Sequence, residues 1–243
     1  MTRSYGRSPF DPRPITIIPH FYDYTEGSCL VKFGNTEVLC VATVDESVPP
    51  HMKNKQKGWI TAEYAMLPRS SKERIRRDKV LSNGRTQEIQ RLIGRSLRAI
   101  SSLEGWGERT IILDCDVINA DGGTRTASIT GAFVSLTLAL RYLHKNGKIS
   151  PNATFPIQEY LSAISVGLVK GEPFCDLDYV EDSSADADMN VVVTSSGKIV
   201  EIQGTAESDP FSQELFHKLV DLGTQGCFKV AEKQKEILGP LGW

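Results

Sequence analysis

The sequence predicts an α/β fold, and three stretches carry that prediction. An apolar run, Ile111–Ile118, carries Asp114 and Asp116 and passes through Gly122-Gly123 into an almost uncharged helical run from Ala127 to Leu143. Two runs rich in β-branched residues, Ser28–Phe33 and Glu37–Val44, flank Gly34-Asn35-Thr36 as a β-hairpin, with Gly-Asn supplying positive φ angles. A second hairpin turns at Ser195–Lys198 into Ile199–Gln203 and is followed by a C-terminal helix.

Composition sets limits. With 243 residues the chain can bury a large core, as one large or two small domains. Its 40% apolar and 24% charged residues are those of a soluble globular protein, and the formal net charge of -2 gives no hint of a nucleic-acid partner. The five cysteines (Cys29, Cys40, Cys115, Cys175, Cys227) are odd in number and widely spaced, without a C-x-x-C pair, so they read as reduced core thiols. The first residues lack an apolar signal core, and no later apolar run reads as long enough to cross a membrane, so a cytoplasmic location without membrane contact is expected.

Along the chain, Arg3 to Pro19 holds Gly6 and four prolines and reads as an extended arm, positively charged through Arg3, Arg7 and Arg13, with a short strand at Ile15–Ile18. Asp45–Gly58 reads as a polar loop and Trp59–Tyr64 as a strand. At the Gly122-Gly123 turn, residues without a Cβ let the chain reverse sharply, and Thr124 is placed to cap the helix that follows. The unpaired amides and positive dipole end of that helix suit an anion, and Arg125 adds a forked cation. On this segment alone, a plain strand–turn–helix joint with a capping threonine fits as well. Small residues Ala127, Ser128, Gly131 and Ala132 allow close packing, and Asn146-Gly147 ends the helix.

Between Arg69 and Arg98, ten basic residues face three acidic ones, a segregated positive field in a chain of net charge -2. Arg69 to Lys79 has no apolar face and reads as an exposed loop. From Gly84 onward a helix is expected, with Ile89, Leu92, Ile93, Leu97, Ile100 and Leu103 as its apolar stripe and Arg91, Arg95 and Arg98 on a second face. A charge run is commonly just a solvated face; eight of the ten being arginine, the better phosphate fork, argues the other way. Arg85 begins this helix, repeating the arrangement at Thr124-Arg125.

Further on, Leu161–Val169 reads as a strand, turned by Gly171-Glu172-Pro173. Glu172 to Asp188 holds seven carboxylates and no basic residue, and it leads into the strand Met189–Val193. Small residues between Asp182, Asp186 and Asp188 let two or three carboxylates converge, which is what Mg²⁺ asks of a protein; an acidic surface loop is the other reading. The C-terminal helix is expected over about Ser212–Leu222, with a second helical stretch near Phe228–Ile237. No P-loop, dinucleotide fingerprint, H-E-x-x-H or G-x-S-x-G motif occurs, and the four histidines are scattered.

Five motifs in order resemble the ribonuclease PH family: Gly84–Arg98, Asp114–Val117, Ala120–Gly131, Glu181–Asn190 and Val200–Glu207. The resemblance runs over nearly the whole chain. It implies a single unit over residues 1–243 with a fold like domain two of ribosomal protein S5. Two related β-α-β halves would span about 1–150, with the phosphate-binding turn, and about 151–243, with the acidic loop. The implied activity is phosphorolytic 3′-to-5′ trimming of tRNA precursors, using inorganic phosphate, releasing nucleoside diphosphates and reversible as nucleotide addition. The implied roles are phosphate binding at Arg85, Gly123, Thr124 and Arg125, catalysis and Mg²⁺ binding at Asp182 and Asp188 with Asp186 as a helper, and an RNA grip at Arg69, Arg74 and Arg77. A ring-shaped homo-hexamer, a trimer of dimers, is the implied assembly. Ser71-Lys72-Glu73 departs from the family's usual threonine-rich loop. A non-catalytic ring subunit and a small-molecule kinase on the same fold are rival readings. The first would have lost Arg85, Arg125, Asp182 or Asp188, and the second needs a longer, less basic glycine loop.

Overall fold

The strands form two sheets. In the first, β1 (Ile15–Pro19), β2 (Gly27–Phe33), β3 (Thr36–Asp45), β4 (Trp59–Met66) and β5 (Thr110–Asn119) lie in the order β1-β2-β3-β5-β4. Only β4 and β5 pair in parallel, and helix α1 (Gly84–Ala99) lies in their crossover, the connection that a parallel pair requires. Helix α2 (Thr124–Lys145) leads to the second, antiparallel sheet of β6 (Leu161–Val169), β7 (Glu172–Cys175), β8 (Ala187–Thr194) and β9 (Ile199–Ala206), ordered β7-β6-β8-β9. The single turn α3 (Tyr179–Asp182) sits between β7 and β8, and α4 (Gln213–Leu238) closes the chain. This computed structural model describes residues 3–77, 83–207 and 209–243; Asp78 and Lys79, the end of the expected basic loop, lie outside the described residues.

Helix α2 packs on β2, β3 and β5 of one sheet and on β6 of the other, which is why it is apolar nearly all round. By length and composition it could cross a membrane, contrary to the expectation from its sequence; here 89% of that stretch is buried within the protein. Close approach depends on its small residues: a Cβ on Gly131 would stand 2.6 Å from the Cys40 sulfur. On β5, Ile111, Leu113, Cys115 and Val117 are buried, and the Cys115 thiol reaches the Ser128 carbonyl of α2. Asp114 and Asp116 therefore point to the opposite face of the sheet.

Four expectations are corrected. The C-terminal helix is continuous from Gln213 to Leu238. Gly223 and Gly226, which lie between the two expected stretches, are contact points: added Cβ atoms would meet the Val191 side chain at 2.6 Å and the Cys175 sulfur at 2.7 Å. In the first hairpin turn Gly34 has φ 56°, while Asn35 is not among the left-handed residues. The apolar stripe of α1 is Ile89, Leu92, Ile93 and Leu97; Ile100 and Leu103 lie beyond its end and are only partly buried. The arginines of the N-terminal arm are also not a free positive charge: Arg3, Arg7 and Arg13 are buried against Asp176, Asp178 and Glu181.

Candidate active site

The cationic side is built at two helix starts. Gly122 and Gly123 take φ 77° and 66°, and Gly123 is the left-handed N-cap of α2. A side chain on Gly122 would run into the Leu177 carbonyl, so the turn must be bare to lie on the acidic segment. Thr124 does not cap the helix, contrary to expectation. Its hydroxyl meets the phenol of Tyr64 at 2.9 Å, leaving the first-turn amides without a side-chain cap. Arg125 follows with Nη2 3.4 Å from Glu88, whose other oxygen accepts a 2.9 Å bond from Gln203. The Arg125 Nε is buried with no partner. At the start of α1, Asn83 caps through a 3.1 Å bond from the Arg85 amide, and Arg85 projects from the first turn.

The acidic side hangs on α3. Asp178 accepts from the amides of Val180 and Glu181 at 3.0 Å while Glu181 accepts from the Asp178 amide at 3.1 Å, a reciprocal capping box. Asp182 ends this turn and Asp188 is the second residue of β8. Glu181 is in turn clamped by Arg3 (Nε to Oε1, 2.7 Å) and Arg7 (Nη2 to Oε2, 2.8 Å), so buried charge from the N-terminal arm holds α3 in place.

The two sides meet. Arg85, Gly123, Thr124, Arg125, Asp182 and Asp188 line one cavity of about 270 Å³. Ser165, Asn190, Thr205 and Glu207 complete the lining and were not among the expected site residues. Register could have found three of them: Ser165 pairs with Asn190, and Asp188 pairs with Thr205. Asp186 is absent from the lining and accepts from the Gly171 amide at 3.4 Å. Arg69, Arg74 and Arg77 are exposed and also outside it, with Arg69 donating to the Lys72 carbonyl. Arg95 and Arg98 on the second face of α1 are engaged within the fold, by Glu201 and by the Trp59 ring with the Ile60 carbonyl. Asp114 and Asp116 do not contribute to the cavity either. A larger hollow of about 890 Å³ beside the end of α1 and the β8–β9 hairpin holds no arginine and none of these residues.

Electrostatics follow from crowding. Burial pushes the Asp182 carboxyl above the usual carboxylate range, against the pull of Arg85, Arg125 and Arg13, with Glu207 adding to the push. Burial likewise leads for Asp188, reinforced by Asp182 and Glu207 and opposed by Arg125. Among the described residues no side chain donates a hydrogen bond to either carboxylate, and no group of three or more His, Cys, Asp or Glu side chains is arranged to hold a metal by itself. Two hard carboxylates without a side-chain hydrogen bond suit Mg²⁺, which takes one or two from a protein and fills its octahedron with water and phosphate oxygens. Cations at helix starts and carboxylates gathered in so small a space suit phosphoryl transfer.

Comparison with known proteins agrees. Residues 11–141 match the model of the 3′ exoribonuclease family, domain 1, and residues 159–226 match that of domain 2. The chain is 55% identical over 228 residues to ribonuclease PH of Neisseria meningitidis serogroup C, covering 93% of each chain, and the same values hold for ribonuclease PH of Neisseria gonorrhoeae. In fold it is similar to rice Rrp46 (TM-score 0.76, 18% identity, 97% of this chain and 100% of that one). It is equally similar to a chain of the Archaeoglobus fulgidus exosome with RNA bound to the active site (TM-score 0.76, 20% identity, 95% and 92% coverage). The chain belongs to the ribonuclease PH family of 3′ exoribonucleases. Its activity is the phosphate-dependent removal of nucleotides from tRNA 3′ ends.

Proposed function

We propose that this activity is divided across the cavity, with Arg85 and the Gly123-Thr124-Arg125 turn binding inorganic phosphate and Asp182 and Asp188 serving the RNA. The observation that carries this reading is that Arg85 and Arg125, whose Nε has no hydrogen-bond partner, line one cavity with both carboxylates. Open amides of α2 and the two guanidiniums supply donors for the phosphate oxygens and keep it in line with the RNA end. One oxygen of hydrogen phosphate attacks the phosphorus of the terminal nucleotide, that phosphorus separates from the preceding 3′ oxygen, which takes up the proton the hydrogen phosphate gives up, and a nucleoside diphosphate leaves. Phosphate is already ionised at neutral pH, so no general base is assigned. Mg²⁺ held by Asp182 and Asp188 would neutralise charge on the scissile phosphate and the departing oxygen.

Arg69, Arg74 and Arg77 are the proposed grip on RNA beyond the cavity. They are exposed on the segment between β4 and α1, the helix that carries Arg85, so cations lead along the chain toward the site. The assembly is proposed as a homo-hexameric ring that presents these loops around a shared opening, and sedimentation of the intact chain tests it. Five buried, unpaired cysteines support the cytoplasm as its compartment.

Product analysis on a 3′-extended tRNA tests the chemistry. Nucleoside diphosphates formed only when phosphate is present support the reading. Nucleoside monophosphates formed without phosphate would replace it with hydrolysis.

A further inference from the structure

The Tyr64–Thr124 hydrogen bond has a direction, and that direction decides what the cavity offers an anion. Tyr64 comes from β4, is 3% exposed, and has its ring within the core. Its oxygen lies 2.9 Å from Thr124 Oγ1, and among the described residues the phenol has no other hydrogen-bond partner. Burial pushes the phenol above its ordinary range despite Thr124, Arg85 and Arg125, so at neutral pH the group carries its proton. A hydroxyl pair of this kind shares one hydrogen, leaving the other to be used elsewhere.

Two arrangements are available. If Thr124 donated to Tyr64, the buried phenol hydrogen would have no acceptor and Thr124 would turn lone pairs toward an incoming anion. If Tyr64 donates, the phenol is satisfied, and the Thr124 hydrogen is free to point into a cavity that already holds two guanidiniums and open helix amides. We propose that Tyr64 is a positioning residue that donates to Thr124 Oγ1 and so presents the Thr124 hydroxyl hydrogen to the substrate phosphate. This rests on the reading of the cavity as the phosphate site. It extends that site to a core residue of β4, and it applies equally to the terminal phosphate of a nucleoside diphosphate in the reverse reaction.

Tyr64→Phe removes one oxygen and keeps the buried ring. The expected result is a rise of about five- to tenfold in KM for phosphate, and for nucleoside diphosphate in synthesis, the scale of one lost hydrogen bond. The KM for RNA and kcat at saturating phosphate should stay within about twofold. Thr124→Ser should keep the phosphate KM, Thr124→Val should raise it, and Tyr64→Phe should add little in the Thr124→Val background because the pair acts as a unit. An unchanged or lower phosphate KM in Tyr64→Phe, an equal rise in the RNA KM, or additive effects of the two substitutions would overturn the proposal. If the wild-type enzyme proved not to use phosphate, the reading of the site would fail separately. Calorimetric titration of inorganic phosphate into wild type and Tyr64→Phe would still decide the hydroxyl assignment, with equal affinities counting against it.

Discussion

Arg13 holds Asp176 in a two-point fork, Nε to Oδ2 at 2.9 Å and Nη2 to Oδ1 at 2.7 Å, with both side chains fully buried. The same guanidinium donates to the carbonyls of Asp121 and Gly122. One side chain thus ties the N-terminal arm, the Gly122-Gly123 turn and the acidic segment together without lining the cavity. Arg13→Ala leaves buried Asp176 with the Arg7 guanidinium, at 3.5 Å, as its remaining ion-pair partner, and equilibrium denaturation should show a loss of about 3–5 kcal/mol. Arg13→Met with Asp176→Leu should recover much of that stability but not the activity, because the two carbonyls stay unheld. Full activity in the double variant would show that the turn is positioned by other interactions.

Gly223→Ala and Gly226→Ala in α4 should each destabilise the protein, although alanine favours a helix by about 1 kcal/mol. The new methyl groups would press on Val191 and on the Cys175 sulfur, and overpacking of a filled core costs about 1–3 kcal/mol. Thermal unfolding of the two variants checks the sign.

How far the fold could be read from the sequence follows from this kind of detail. Both hairpins, the strand–turn–helix joint and the stripe Ile89-Leu92-Ile93-Leu97 were visible as local patterns, since periodicity reports which face is buried. The C-terminal helix reads as two stretches with Gly223 and Gly226 between them, and a glycine that breaks a helix and one that lets a neighbour approach look alike in one dimension. Arg3, Arg7 and Arg13 misled for a related reason: their partners lie more than 160 positions away, as Arg13 does from Asp176. At the site, Arg85 and Arg125 stand out by charge and turn chemistry, while Asp182 and Asp188 are singled out from the acidic stretch only by the family resemblance. Thr205 and Glu207 do not stand out, because only the β8–β9 register and the end of β9 bring them beside Asp188.

Asp114 and Asp116 should be a burden on stability at neutral pH. Burial and the Glu63 charge on neighbouring β4 push both carboxyls above the usual range, with Asp116 also acting on Asp114. A carboxyl whose folded pKa is raised destabilises the protein once ionised; the penalty is present above the folded pKa and disappears as pH falls below the unfolded value of about 3.9. Asp116→Asn should therefore raise the thermal midpoint at pH 7, with the gain shrinking toward pH 4. A gain that grew as pH fell would contradict this sign.

Arg74→Ala and Arg77→Ala should weaken tRNA binding and flatten its salt dependence, by about 0.7–0.9 in the log–log slope for each phosphate that no longer meets an arginine. The KM for inorganic phosphate should not move, since neither side chain lines the cavity. Filter binding across a salt series, paired with phosphate titrations, separates the two effects.

The central claim is that the cavity's two sides have separate tasks, and tracing labelled orthophosphate into released nucleoside diphosphate tests it most directly. In Arg125→Gln, label transfer should fall at low phosphate and return toward the wild-type rate as phosphate is raised, because binding alone is impaired. In Asp182→Asn, transfer should stay low at every phosphate concentration. Rescue of Asp182→Asn by phosphate, with none for Arg125→Gln, would contradict the assignment.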